Sequence, residues 1–134
     1  MTVAFSAALE LNVLNWVKGV AMPTAPTSVK FGLLTAIPDH DGVNLNELNG
    51  NGYARQTVTF GAITTAGRIS SMLNTNSVIF GPVNTADWAP ALYGAFFNGA
   101  DNTLLAYGPL AAGRTAPVGD TISFGAGSLQ LRCQ

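Results

Sequence analysis

ALYGAFFNGADNTLLAY, residues 91–107, is the stretch on which the fold class turns. Its first half alternates along an extended chain, with Leu92, Gly94 and Phe96 on one side and Tyr93, Ala95 and Phe97 on the other. Both sides are apolar, so the strand is expected to be covered twice, as a central strand or as part of an interface. Gly99-Ala100-Asp101-Asn102 then supplies a four-residue loop of turn-forming residues, and residues 103–107 return as a second strand. The unit is an antiparallel hairpin.

Shorter strands flank it. Val29, Phe31 and Leu33 alternate in a strand ending near Leu34. Residues 53–60 place Ala54, Val58 and Phe60 on one side and Arg55, Thr57 and Thr59 on the other. Residues 68–73 and 77–80 read as two more short strands. Residues 121–124 and 128–132 flank Gly125-Ala126-Gly127, which predicts a second tight reversal joining the last two strands. About seven or eight short strands, with turn signals every ten or so residues, predict a mainly β protein: an antiparallel β-sandwich or jelly roll over residues 28–132.

Residues 1–20 differ. Leu9, Val13, Trp16, Val17 and Val20 recur at helical spacing, predicting one N-terminal α-helix over residues 3–19. Ser6 can cap it, Glu10 lies near its positive end, Lys18 sits in the last turn, and Gly19 stops it. Leu11 and Leu14 fall off the main stripe. That extra apolar area implies a deep berth in the domain, the first expectation, or a contact with a neighbouring subunit. Pro23 and Pro26 then mark a spacer before the strands.

The 134 residues suit one domain, 1–134, and one cysteine gives no disulfide framework. Only 10% of residues are charged, against about 25% in ordinary soluble domains. A net charge of -1, a pI near 5.6 and the lack of any Lys/Arg cluster argue against nucleic acid as a partner. The apolar stretches are broken by Gly, Asn or Pro well short of the roughly 20 residues a membrane span needs, and the first residues lack the pattern of a secretory signal. Low charge with a mean hydropathy of +0.30 leaves little to repel one copy from another, which suits a subunit of an assembly.

Candidate chemistry is thin. His40, the one histidine, lies in Asp39-His40-Asp41-Gly42, with Asn44, Asn46 and Glu47 close behind. Those oxygens do not meet the EF-hand spacing, and residues 39–52 read as a solvated surface loop. Cys133 has only Arg132 as a basic neighbour, and Asp87, Asp101 and Asp120 sit in apparent turns. Trp88, Tyr93, Phe96 and Phe97 suit either a sugar-stacking platform or, more commonly, a core. No catalytic, cofactor or metal residue is assigned. The candidate interface residues are Leu11, Leu14, Trp16, Trp88, Tyr93 and Phe97.

The order of motifs carries a resemblance. After the helix and first strand come Gly52-Tyr53-Ala54-Arg55-Gln56 and Val58-Thr59-Phe60, then an Asn-containing strand and turn over residues 74–82. Trp88 in a polar turn, Gly94-Ala95-Phe96, the hairpin loop, Tyr107-Gly108-Pro109-Leu110, and a closing Gly119-Asp120-Thr121 with Phe124 to Leu129 complete it. The chain resembles a family of small tailed-phage and prophage virion proteins, tail-fibre-like or capsid-decorating. Phe97-Asn98-Gly99 and Gly81 depart from the family pattern without touching a catalytic motif. The resemblance implies a non-enzymatic structural role in the virion. The leading expectation is a decoration or cement subunit binding the major capsid protein and copies of itself, with a trimer expected because capsid lattices offer three-fold positions. A tail, baseplate or tail-fibre component, including a receptor-binding tip, is the alternative, and a carbohydrate-binding module a further one.

Overall fold

In the computed structural model, which describes residues 3–133, ten strands and one helix are found among those residues. They follow the order β1 (Ala4–Phe5), α1 (Ala7–Val17), β2 (Val29–Leu34), β3 (Gln56–Val58), β4 (Thr64–Ala66), β5 (Ile69–Leu73), β6 (Val78–Phe80), β7 (Ala91–Asn98), β8 (Leu104–Arg114), β9 (Ile122–Phe124) and β10 (Gln130–Cys133). All pairings are antiparallel. A five-stranded sheet runs β1-β8-β7-β2-β3, a three-stranded sheet β10-β5-β4, and a two-stranded ladder β6-β9. The mainly β, sandwich-like fold with one helix agrees with the sequence reading.

The predicted hairpin is the centre of the large sheet. Strand β7 lies between β8 and β2 and is covered on both faces, as its two-sided apolar pattern requires. Its turn closes through Asn98 N–H to the Thr103 carbonyl (2.9 Å) and Asn102 N–H to the Asn98 carbonyl (2.8 Å). Asn102 takes a positive φ of 62°, which asparagine tolerates. Strand β8 continues seven residues beyond the expected end at Tyr107. Gly108-Pro109 reads as a breaker, but β1 pairs only as far as Tyr107, so Pro109 meets an open edge where proline is tolerated.

On one face of this sheet the side chains of Phe31 and Phe96 meet Phe80 and Phe124 of the β6-β9 ladder, forming the main core with Leu33, Val58, Val78 and Ile122. On the other face Leu34, Ala95, Phe97 and Leu104 form a smaller cluster with Leu45, Tyr93 and Tyr107. Loop 39–52, expected to be wholly solvated, contributes to both: Leu48 is buried in the first cluster and Leu45 packs against the second.

The last two strands correct the sequence reading. β9 and β10 do not pair with each other; β9 joins β6 and β10 joins β5. The buried Asn74 side chain causes the parting. Its amide donates to the carbonyls of Gly125 (3.0 Å) and Asn76 (2.7 Å) and accepts from the Leu129 N–H (2.9 Å), clamping the glycine-rich bend so that the chain passes to the other sheet. Gly127 supplies the positive φ, 81°, but the bend turns the chain away instead of closing a hairpin. Two further boundaries move. The expected strand at 53–60 shrinks to β3, and β4, unforeseen, pairs with β5 across a turn at Gly67.

The helix is also shorter than expected. Residues 4–5 pair with β8 as β1, and Ser6 begins the helix, its hydroxyl oxygen accepting from the Leu9 N–H at 3.2 Å. Among the described residues no helix is long and apolar enough to cross a membrane.

Candidate interaction surface

The start of α1 is fixed and the rest stands out. Buried Ser6 donates its hydroxyl proton to the Leu104 carbonyl and its N–H to the Leu105 carbonyl, while the Ala7 N–H donates to the His40 carbonyl at 2.9 Å. One turn on, Glu10 Oε2 lies 2.9 Å from His40 Nε2, and His40 Nδ1 lies 2.8 Å from the Tyr107 hydroxyl. Helix, loop and β8 are thus clasped together at the first turn. Both ring nitrogens of His40 are occupied, so the cluster holds a helix and offers no free base. Burial, with Glu10 second, raises the Tyr107 phenol above its usual value, keeping it neutral in the clasp.

Beyond that turn the helix is inverted relative to a core helix. No residue of α1 is buried. Asn12 and Asn15 are partly covered, yet Leu11, Leu14, Trp16 and Val17 are 59%, 63%, 62% and 71% exposed. The expected berth inside the domain is therefore not filled. A tight N-terminal attachment leaves the apolar side chains facing solvent, and residues 18–27, including Val20 and Met22, are exposed throughout.

Of the six candidate interface residues, the structure gathers Leu11, Leu14 and Trp16 on this one element. Tyr93 is partly buried and shares a shallow groove with Tyr107, Ile37 and Pro109. Trp88 and Phe97 correct the sequence reading, because both are side chains of the protein's own interior. Trp88 donates its indole N–H to the Asn51 carbonyl at 3.0 Å and packs edge-on to Tyr53. Phe97 is fully buried beneath the Arg55 guanidinium, 3.5 Å from its ring centre. With Phe96 buried as well, the imagined sugar-stacking platform has no accessible rings from these three.

Arg55 belongs to a network that the residue pattern alone did not reveal. Its Nε and Nη2 donate to Glu47 Oε1 and Oε2 at 2.9 and 2.8 Å, a bidentate pair with about four-fifths of each side chain covered. The Tyr53 hydroxyl donates to Glu47 Oε1 at 2.6 Å and accepts from the Leu33 N–H at 3.0 Å. Gly32 leaves room for this: a Cβ there would lie 2.9 Å from Glu47 Oε1. The network fixes loop 39–52 and the Tyr53–Arg55 segment on the sheet.

Burial, and then the neighbouring Glu47 carboxylate, push the Tyr53 phenol far above its usual value of 10.0. A phenol that keeps its proton more tightly folded than unfolded stabilises the fold fully below about pH 10, and that stability is lost as pH rises past it. Tyr53→Phe should therefore be less stable than the parent at neutral pH, with the gap constant up to about pH 9 and narrowing progressively as pH rises above about 10. Denaturant titrations of both proteins across that range give the measurement; a constant gap would show that Tyr53 is not the group responsible.

Groups of three or more His, Cys, Asp or Glu side chains placed to hold a metal are not found among the described residues. No curated protein matches the chain. The family model described as Podophage GP4 fiber I protein gp80 matches residues 4–132, from β1 through all but the end of β10. With almost its whole length matched, and with the helix, central hairpin and closing strands all inside the match, the chain belongs to that family of fibre-like structural proteins of tailed-phage virions.

Proposed function

We propose that the protein is a non-enzymatic fibre-type subunit of the phage particle that works by protein–protein contact, its β body held rigid and α1 offered as the docking element. The observation that carries this reading is the inverted helix: four large apolar side chains held outward by a first turn clasped to the body. Exposed apolar surface on this scale marks an interaction site. The fibre description of the matching family supports a place in the tail.

Capsid decoration is the second reading, favoured by a surface with only 10% charged residues, which can be buried over a large area with little charge desolvation. Copy number separates the two. Quantitative mass spectrometry of purified particles should find the protein at a few to a few tens of copies. Hundreds of copies would transfer it to the capsid, and its absence from particles would overturn the virion role.

A further inference from the structure

We infer that Asn49 is a self-modification site: of the three Asn-Gly steps in the chain, at 49–50, 51–52 and 98–99, the fold leaves the first free to lose ammonia and become aspartate or isoaspartate. The inference rests neither on the reading of α1 nor on a place in the virion.

The chemistry needs only water. The Gly50 backbone nitrogen gives its proton to solvent base and attacks Cγ of Asn49; the N–Cγ bond forms, the Cγ–Nδ2 bond breaks, and the amide nitrogen takes up a proton and leaves as ammonia. Water then opens the resulting succinimide at one of its two carbonyls. Opening at Cγ gives aspartate, and opening at the backbone carbonyl gives isoaspartate, whose main chain runs through Cγ. Glycine favours the attack because no Cβ shields its nitrogen. Whether that nitrogen can turn onto Cγ is then a property of the fold.

The first step has this freedom. The Leu48 N–H donates to the Leu33 carbonyl and the Tyr53 N–H to the Gly50 carbonyl, both at 3.0 Å, so the chain is held on either side. Between these anchors the Asn49 carbonyl, the Asn49 side-chain amide and the Gly50 N–H meet no hydrogen-bond partner among the described residues. Both residues are exposed, and a Cβ at Gly50 would meet nothing within 4 Å. The peptide unit can rotate.

The other two steps are pinned. The Asn51 carbonyl accepts from the Asn84 N–H at 2.9 Å and from the Trp88 indole at 3.0 Å, and a Cβ at Gly52 would lie 2.5 Å from the Pro82 carbonyl oxygen. At the hairpin, the Gly99 N–H donates to the Ser28 carbonyl at 2.8 Å, while Asn98 Oδ1 accepts from the Ala100 N–H at 2.9 Å. There the attacking nitrogen and the amide under attack are both engaged, so reaction must wait for local opening.

The test is to hold the full, folded chain at mildly alkaline pH, withdraw samples over time, and digest after Lys and Arg. Asn49 and Asn51 then fall in residues 31–55 and Asn98 in residues 69–114. Fragment mass spectrometry reads the amide-to-carboxylate change at each position, and isoaspartyl methyltransferase labelling reads the isoaspartate. Asn49 should convert faster than Asn51 or Asn98 by on the order of tenfold or more, the cost of first breaking two hydrogen bonds. In denaturant the three rates should converge. The side chain of Asn49 is exposed and unbonded, so Asn49→Ala should keep the parent's denaturant midpoint and lose only this conversion. Equal rates at Asn49 and Asn51 in the folded protein, faster conversion at Asn98, or an Asn49 preference that persists undiminished in denaturant would each overturn the inference.

Discussion

Phe31→Ala should lower the unfolding free energy by about 3 to 5 kcal/mol, the range for emptying a large aromatic from a core that cannot collapse. Phe31 has no exposed surface and touches rings from three other strands: Phe96 at 5.0 Å, Phe124 at 5.5 Å and Phe80 at 6.0 Å between centres. It is therefore the joint between the five-stranded sheet and the β6-β9 ladder. Collapse is resisted because β2 is hydrogen-bonded on both sides, to β3 and β7. Gly94 adds a second constraint. A Cβ there would lie 2.5 Å from the Phe31 ring, so the ring rests on bare backbone and on that side there is no side chain to fill the hole. Against a typical total of about 5 to 15 kcal/mol, the variant should unfold at a much lower urea midpoint, read at the same protein concentration as the parent because association shifts apparent stability. A loss below about 1 kcal/mol would mean the two layers do not depend on this contact.

The second large effect is expected at Glu47. Glu47→Ala removes the shared acceptor of Arg55 and Tyr53 and leaves a largely covered guanidinium without its carboxylate. Losing one partner of a buried pair costs about 3 to 5 kcal/mol; with both side chains still partly reached by water, about 2 to 4 kcal/mol is expected here. Glu47→Gln keeps an oxygen for Tyr53 and should cost less. Denaturant midpoints of the two variants provide the test: equal losses would show that the oxygen kept by Gln contributes nothing and that the whole effect lies in the charge paired with Arg55.

Local pattern and tertiary placement divided the work unevenly. Residues 91–98 were legible as a strand covered on both faces because both of its alternating sets are apolar, and Ser6 was legible as a cap because capping is settled within four residues of chain. The Glu10–His40–Tyr107 clasp was not, since its members lie 30 and 67 positions apart and nothing local marks them as partners. Likewise the sequence marks Gly125-Ala126-Gly127 as a bend but not its direction, which the side chain of Asn74 decides from 51 residues away. Trp88, Phe97 and Trp16 show the same division most sharply. Composition marks all three as large apolar groups that must meet something, yet cannot say whether the partner is the same chain.

By itself, then, the sequence determined the antiparallel β class, the single helix, the central hairpin and the shortage of surface charge, all properties of spacing and composition. Only the tertiary structure decided that Trp88 and Phe97 turn inward while Leu11, Leu14 and Trp16 turn out. The reason is that burial belongs to how elements are tied together: the rings on β7 and beside Tyr53 lie under strands and loops paired over them, whereas among the described residues α1 is hydrogen-bonded to the body at its first turn and its outward apolar face is left uncovered.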